Sequence, residues 1–169
     1  MIDRIVYITP DFAVTGALAP EDFPLIAEAG FRSVISNRPD GEAGAAMNAR
    51  QESVAAWRSG LHLRHVPAAK HDVLTDTVVE GMADAVRRLE GPILAHCLSG
   101  QRSAIVWAAA SARAGNIDCV LAALAQAGFD LAFLRDDLEA QADRKRWLGT
   151  DKALDCGEAA ILTGAWAAA

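Results

Sequence analysis

The sequence predicts an α/β fold of three layers, a mostly parallel central sheet flanked by helices. Three observations predict it. Short apolar runs of strand length alternate with segments of helical periodicity. The stretches between successive runs are long enough for the crossovers that parallel pairing requires. At 169 residues and 52% hydrophobic content, much of it alanine, the chain can bury one sizeable core.

The elements follow in order. Residues 4–9 and 12–15 read as short opening strands, and 21–29 as a helix stopped at Gly30, since glycine takes the left-handed conformation that ends helices. Residues 33–36 form a buried strand. Arg38-Pro39-Asp40-Gly41 is then a turn with proline second and glycine fourth. The pattern predicts a helix over 48–59 ending at Gly60 and a strand over 61–66. Thr77-Val78-Val79-Glu80 has capping-box spacing inside the start of a helix that runs to Leu89, after which Gly91-Pro92 resets the chain into another strand. Helices over 103–114 and 117–127 are closed by Gly115 and Gly128, and a last one starts at 131 with Asp130 as its cap. The charge run 143–146 reads as a solvated helix face, and Trp147 and Trp166 bracket an alanine-rich tail.

Composition excludes several classes of function. The formal net charge is −6 and the sequence pI is near 5.1, so no basic field exists to hold nucleic acid or an anionic membrane. No apolar run reaches the roughly 18 residues of a membrane span. Met1-Ile2-Asp3-Arg4 does not begin a signal peptide, and a cytoplasmic protein is expected. Three cysteines at unrelated spacings form neither a disulfide framework nor a zinc site, which suits a reducing compartment.

One stretch carries chemistry. In Ile93-Leu94-Ala95-His96-Cys97-Leu98-Ser99-Gly100-Gln101-Arg102-Ser103-Ala104, an apolar strand delivers a cysteine into a short polar loop that opens into a helix. Backbone N–H groups from Leu98 to Ser103, with Ser99, Gly100 and Gln101 between, can curl around the sulfur. The helix directs its positive end at it, and Arg102 adds a full charge. Together these lower the thiol pKa from the free value of about 8.5 and make Cys97 a nucleophile at neutral pH. His96 is expected to hydrogen-bond loop backbone. Ser103, as first helical residue, either donates its hydroxyl to Cys97 or caps the helix. Cys119 lies among Ile117, Val120, Leu121 and Leu124 at helical spacing and reads as core, whereas Cys156 lies in the tail with no flanking site. Ligands of open α/β sheets bind outside the carboxyl ends of the strands, where loops 37–42, 67–75 and 97–102 should converge. Arg38 and Asp40 either border that pocket or serve the turn and an ion pair.

Cys-x-x-Gly-x-Arg-Ser after an apolar strand resembles the active-site loop of the cysteine-dependent phosphatase and rhodanese groups. Tyrosine and dual-specificity phosphatases place five residues between cysteine and arginine; this chain has the four from Leu98 to Gln101, as in many rhodanese-type sulfurtransferases. Tyr7-Ile8-Thr9-Pro10-Asp11-Phe12-Ala13-Val14, then Gly30-Phe31 and Asn37-Arg38-Pro39-Asp40-Gly41-Glu42, are similar to the beta-lactamase-hydrolase-like N-terminal domain family. These are bacterial proteins with a dual-specificity-phosphatase-like fold, to which sulfurtransferase activity is ascribed. The resemblance implies one such domain over 1–138, leaving 139–169 as a C-terminal helical extension of unassigned role. Family members commonly carry arginine directly after the cysteine; Leu98 here leaves the pocket wall one cation fewer. By the same resemblance, Asp72 lies in the loop where dual-specificity phosphatases carry their general acid, with His71 beside it and Asp76 further on.

The expected chemistry is a sulfur relay. Cys97 takes sulfane sulfur from a persulfide, polysulfide or thiosulfate donor. It passes the sulfur to a small thiol, cyanide or an acceptor protein such as a persulfide dioxygenase, with no metal or organic cofactor. A phosphoryl group needs donors for three oxygens at once, while a sulfane sulfur is one atom and fits a tighter ring. The alternatives are a phosphatase acting through a Cys97 phosphocysteine, and a non-enzymatic persulfide carrier or redox sensor.

Overall fold

The computed structural model of the chain describes residues 5–148, with side chains through 144. Five four-residue strands, β1 (Val6–Thr9), β2 (Phe12–Thr15), β3 (Ser33–Ser36), β4 (His62–His65) and β5 (Ile93–His96), form one sheet in the order β1-β2-β5-β3-β4. β5 is central and pairs in parallel with both β2 and β3. All pairings are parallel except β1 with β2, which two turn residues join too closely for a crossover, leaving an antiparallel edge.

Alternation along the strands builds two cores. Phe12, Val14, Ile35, Ile93 and Ala95 face one way, against α3 (Asp76–Arg88), α4 (Gln101–Ala112), α5 (Ile117–Gln126) and α6 (Arg135–Leu148). Ala13, Val34 and Leu94 face the other way, against α1 (Asp22–Glu28) and α2 (Ala49–Arg58). The three layers expected from the sequence are thus in place. α4 is buried on nearly all sides, and its alanines 104, 108, 109, 110 and 112 let α3, α5 and α6 approach closely.

Several local expectations are corrected. The turn after β3 lies one residue later than the Pro-second pattern suggests: Glu42 N–H donates to the Pro39 carbonyl, and Gly41, with φ +79°, takes the third position. A positive φ is what that position of a type II turn demands. Thr77 starts no capping box. α3 begins at Asp76 with Thr75 as its cap residue, and the Thr75 hydroxyl is spent on the Asp72 carbonyl at 2.7 Å. Asn48, in contrast, forms a full capping box with Gln51 at the start of α2. Asp130 caps no helix, because a short 3₁₀ turn, Ala132–Leu134, intervenes before α6. α6 runs through position 138, and Leu138 is fully buried in the core. Cys156, Trp166 and most of the expected extension lie outside the described residues. Among the described residues no helix is long and apolar enough to cross a membrane.

Candidate active site

The central strand decides where the cysteine goes. β5 ends at His96, and Cys97 follows, fully buried beneath its own loop. The loop closes on the sulfur through Gly100, whose N–H donates to Cys97 Sγ at 3.1 Å. Gly100 has φ +85°, and a Cβ there would stand 3.3 Å from the Thr15 carbonyl oxygen, so the position takes glycine for two reasons. The Leu98 carbonyl accepts from Ala17 N–H at 3.3 Å, which ties the loop to the segment after β2.

α4 starts directly after Gly100, two residues sooner than expected. Its first N–H groups have no intrahelical partner and carry the positive end of the helix dipole to the loop. Ser103 is therefore the third helical residue, not the first. Its hydroxyl is buried with no hydrogen-bond partner among the described residues, and it neither reaches Cys97 nor caps the helix.

Arg102 draws the three loops together. Its Nη1 donates to the Ala68 carbonyl at 2.7 Å, and its Nη2 to both oxygens of Glu42 at 2.7 and 2.8 Å. Glu42 also accepts from Arg38 Nε at 3.3 Å. The hydrogen bond from Arg102, followed by the charges of Arg102 and Arg38, outweighs partial burial and holds the Glu42 carboxyl below its ordinary value. Arg38 is itself buried and donates to the carbonyls of Ala43 and Gly44, which fixes the segment carrying Glu42. Asp40 takes a different task and accepts from Ala49 N–H at the start of α2.

His96 departs from expectation. Strand parity turns it toward the α2 layer, where its Nε2 stands 3.5 Å from Glu52 Oε2; both side chains are buried. Only the His96 backbone serves the loops, its carbonyl accepting from Asn37 N–H at 2.8 Å. Burial pushes the Glu52 carboxyl up, but the neighbouring His96 outweighs it and leaves the group below its ordinary value. A carboxylate with a lowered folded pKa contributes stability that is complete above its unfolded value and lost as pH falls through the folded one. Glu52→Gln should therefore destabilise the protein by about 2 kcal/mol near neutrality, the scale of leaving the buried His96 ring without its charged neighbour at 3.5 Å. Thermal melts should show this deficit shrinking as the pH drops below about 4. A deficit that stays constant across that range would rule out an ionised Glu52 beneath the loop.

Asp72 is half-buried. Its backbone shapes the loop, donating to Ala69 and accepting from Thr75, while its Oδ1 is buried with no hydrogen-bond partner among the described residues. Leu98 and Ser99 stand between two clefts. One, of about 360 Å³, is lined also by Lys70, Val73, Gln101, Arg102 and Ile105. The other, of about 550 Å³, lies toward Thr15, Gly16, Asp22 and Phe129. Asp72 lines neither cleft, although Lys70 and Val73 on either side of it line the first. Among the described residues no group of three or more His, Cys, Asp or Glu side chains could hold a metal ion.

Glu42 and Glu52 are the residues that sequence reasoning missed as site partners. The parity of β5 could have found the second, since His96 lies two residues from Leu94 and must share its face. No local signal marks the first.

The fold is that of the cysteine-dependent phosphatases. It superposes on a candidate phosphatase from Neisseria meningitidis Z2491 with a TM-score of 0.68, at 24% identity, covering 81% of this chain and 97% of that one. It also superposes on kinase-associated phosphatase, solved with its catalytic cysteine replaced by serine, with a TM-score of 0.63, at 14% identity over 88% and 97% of the two chains. A beta-lactamase hydrolase-like protein of Xylella fastidiosa strain 9a5c is 34% identical over 141 residues, 82% of this chain and 32% of that protein, so the chain spans about a third of its curated relative. The structural likenesses show the fold alone; the description of the matching family, a phosphatase-like domain, favours the phosphatase alternative over the sulfur transfer expected from loop length. The family model described as beta-lactamase hydrolase-like protein, phosphatase-like domain, matches residues 4–114. A fold, a loop and a relative that agree over the same residues leave one assignment: the chain belongs to the beta-lactamase hydrolase-like family and carries its phosphatase-like domain.

Proposed function

We propose that this domain transfers sulfane sulfur through a Cys97 persulfide. The observation that carries the reading is the size of the ring. Four residues separate Cys97 from Arg102, and the Gly100 N–H is already directed at Sγ. Arg102 spends Nη1 on Ala68 and Nη2 on Glu42. A ring this short gathers its N–H donors around a smaller space than three phosphoryl oxygens need, while a single sulfur fits it.

In the first step the Cys97 thiolate attacks the outer sulfur of a donor R–S–S⁻. A bond forms between Sγ and that sulfur, the donor S–S bond breaks, and R–S⁻ leaves with the electron pair. In the second, an acceptor thiolate attacks the outer sulfur of the Cys97 persulfide and releases the Cys97 thiolate. Loop N–H groups, the α4 terminus and Arg102 offset the negative charge in both steps. A small thiol, cyanide or a protein such as a persulfide dioxygenase would serve as acceptor, and a cysteine that cycles between these states suits a reducing cytoplasm.

The second reading is a phosphatase that passes through a Cys97 phosphocysteine, with Asp72 as acid. It is supported by the family description and the fold, although one fold hosts many chemistries. Intact mass measured after incubation with a persulfide, a polysulfide and thiosulfate separates the readings. One added sulfur on Cys97, removed by cyanide or a thiol with turnover, is the expected result. Loading without turnover would make the domain a carrier. Failure with all three donors, together with aryl phosphate hydrolysis that needs Cys97 and Asp72, would assign it to the phosphatases.

A further inference from the structure

Glu42 does more to the site than hold an arginine in place. Arg102 is about nine-tenths buried, and both oxygens of Glu42 accept from its Nη2, so one full negative charge lies against the cation nearest the cysteine loop. Among the described residues Arg102 Nε carries no hydrogen bond, and Arg102 lines the smaller cleft, so the guanidinium can still donate to a ligand. It does so beside a carboxylate that offsets one of the two charges of Arg102 and Arg38, so the three side chains together hold a single positive charge. Arg38, the second cation touching Glu42, is buried and committed to the carbonyls of Ala43 and Gly44. The remaining cation, Lys70, is exposed at the cleft edge, where water screens it. The other cleft walls are Leu98, Val73, Ile105, Ser99 and Gln101, none of them charged.

A doubly charged ligand entering such a cleft surrenders more hydration than a singly charged one, and the loss rises steeply with charge. The compensation available is loop N–H groups, a helix terminus and one net positive charge shared by Arg102, Arg38 and Glu42. Resting on the reading of Cys97 as a group-transfer nucleophile, we propose that Glu42 is a specificity-determining residue that tunes the cleft to monoanions. The substrate class is then the organic persulfide R–S–S⁻, favoured over dianionic donors such as thiosulfate and over phosphate monoesters.

The test uses a matched pair of unreactive anions, methanesulfonate and sulfate, which have similar tetrahedral heads and differ in charge. Calorimetry on the full chain at constant ionic strength reads the affinity ratio without any turnover, so its outcome is independent of whether Cys97 loads sulfur or phosphate. Wild-type protein should bind methanesulfonate at least as tightly as sulfate. Glu42→Gln, which keeps an acceptor for Arg102 and removes the charge, should move the ratio toward sulfate tenfold or more, and Glu42→Asp should restore it. A merely structural Glu42 would weaken both anions together. The proposal is overturned if wild-type prefers sulfate by tenfold, if neither anion binds, or if a folded Glu42→Gln leaves the ratio unchanged. Should Glu42→Gln not fold, the wild-type and Glu42→Asp ratios decide alone.

Discussion

Cys97→Ser should abolish transfer to either class of acceptor while leaving the melting temperature close to that of wild-type. The serine hydroxyl fits the space of the sulfur and can still accept from Gly100 N–H, which now reaches Cys97 Sγ at 3.1 Å. It cannot be ionised there at neutral pH, because an alcohol is a far weaker acid than a thiol. Loss of a covalent nucleophile costs about four orders of magnitude or more in turnover. Assays with a persulfide donor and with an aryl phosphate should both fall to background, since the two readings share this atom. Full activity in the folded serine variant would remove Cys97 from the mechanism under either reading. Cys119→Ser serves as the companion: that side chain lies at the edge of the core on α5, so the variant should keep turnover and lose at most some stability.

The legible part of this protein is the part written in short-range patterns. β2 and β3 fall at the predicted stretches, Phe12–Thr15 and Ser33–Ser36, because each is buried along its whole length, with apolar centres and only small hydroxyl side chains at the ends. Glycines 30, 60 and 128, each with positive φ, mark helix ends that any reading of the sequence can find. The cysteine loop is legible for the same reason. What was not legible depends on partners far apart in the chain. Glu42 meets Arg102 across 60 positions, and nothing local distinguishes it from any other turn carboxylate. His96 looked like a loop-shaping residue because it adjoins Cys97, yet a strand turns consecutive side chains to opposite faces and sends it to Glu52 on α2. Ser103 was misplaced by a helix boundary, where two residues of error carry a hydroxyl through about 200° around the helix axis.

Gly100→Ala should produce the second large loss, and it separates the shape of the loop from the stability of the fold. Gly100 has φ +85°, its N–H closes the ring on Cys97 Sγ, and an added methyl would press on the Thr15 carbonyl at 3.3 Å. The left-handed backbone costs an alanine about 1 to 2 kcal/mol. Relief of the contact requires the loop to move away from β2, which carries the N–H off the sulfur. Gly60 supplies the control. It has φ +74°, and a Cβ there meets nothing within 4 Å, so Gly60→Ala bears the backbone strain without any contact at the loop. Both variants should lose stability of similar size in denaturant melts. Only Gly100→Ala should lose turnover, by about 10²- to 10³-fold, the effect of displacing one principal donor from an anion-stabilising site. Its Cys97 should also react more slowly with iodoacetamide, because the N–H that holds the sulfur in its ring is displaced. Equal turnover losses in the two variants would mean that the Gly100 N–H contributes only to the fold, and the ring around Cys97 would no longer account for the reactivity of the thiol.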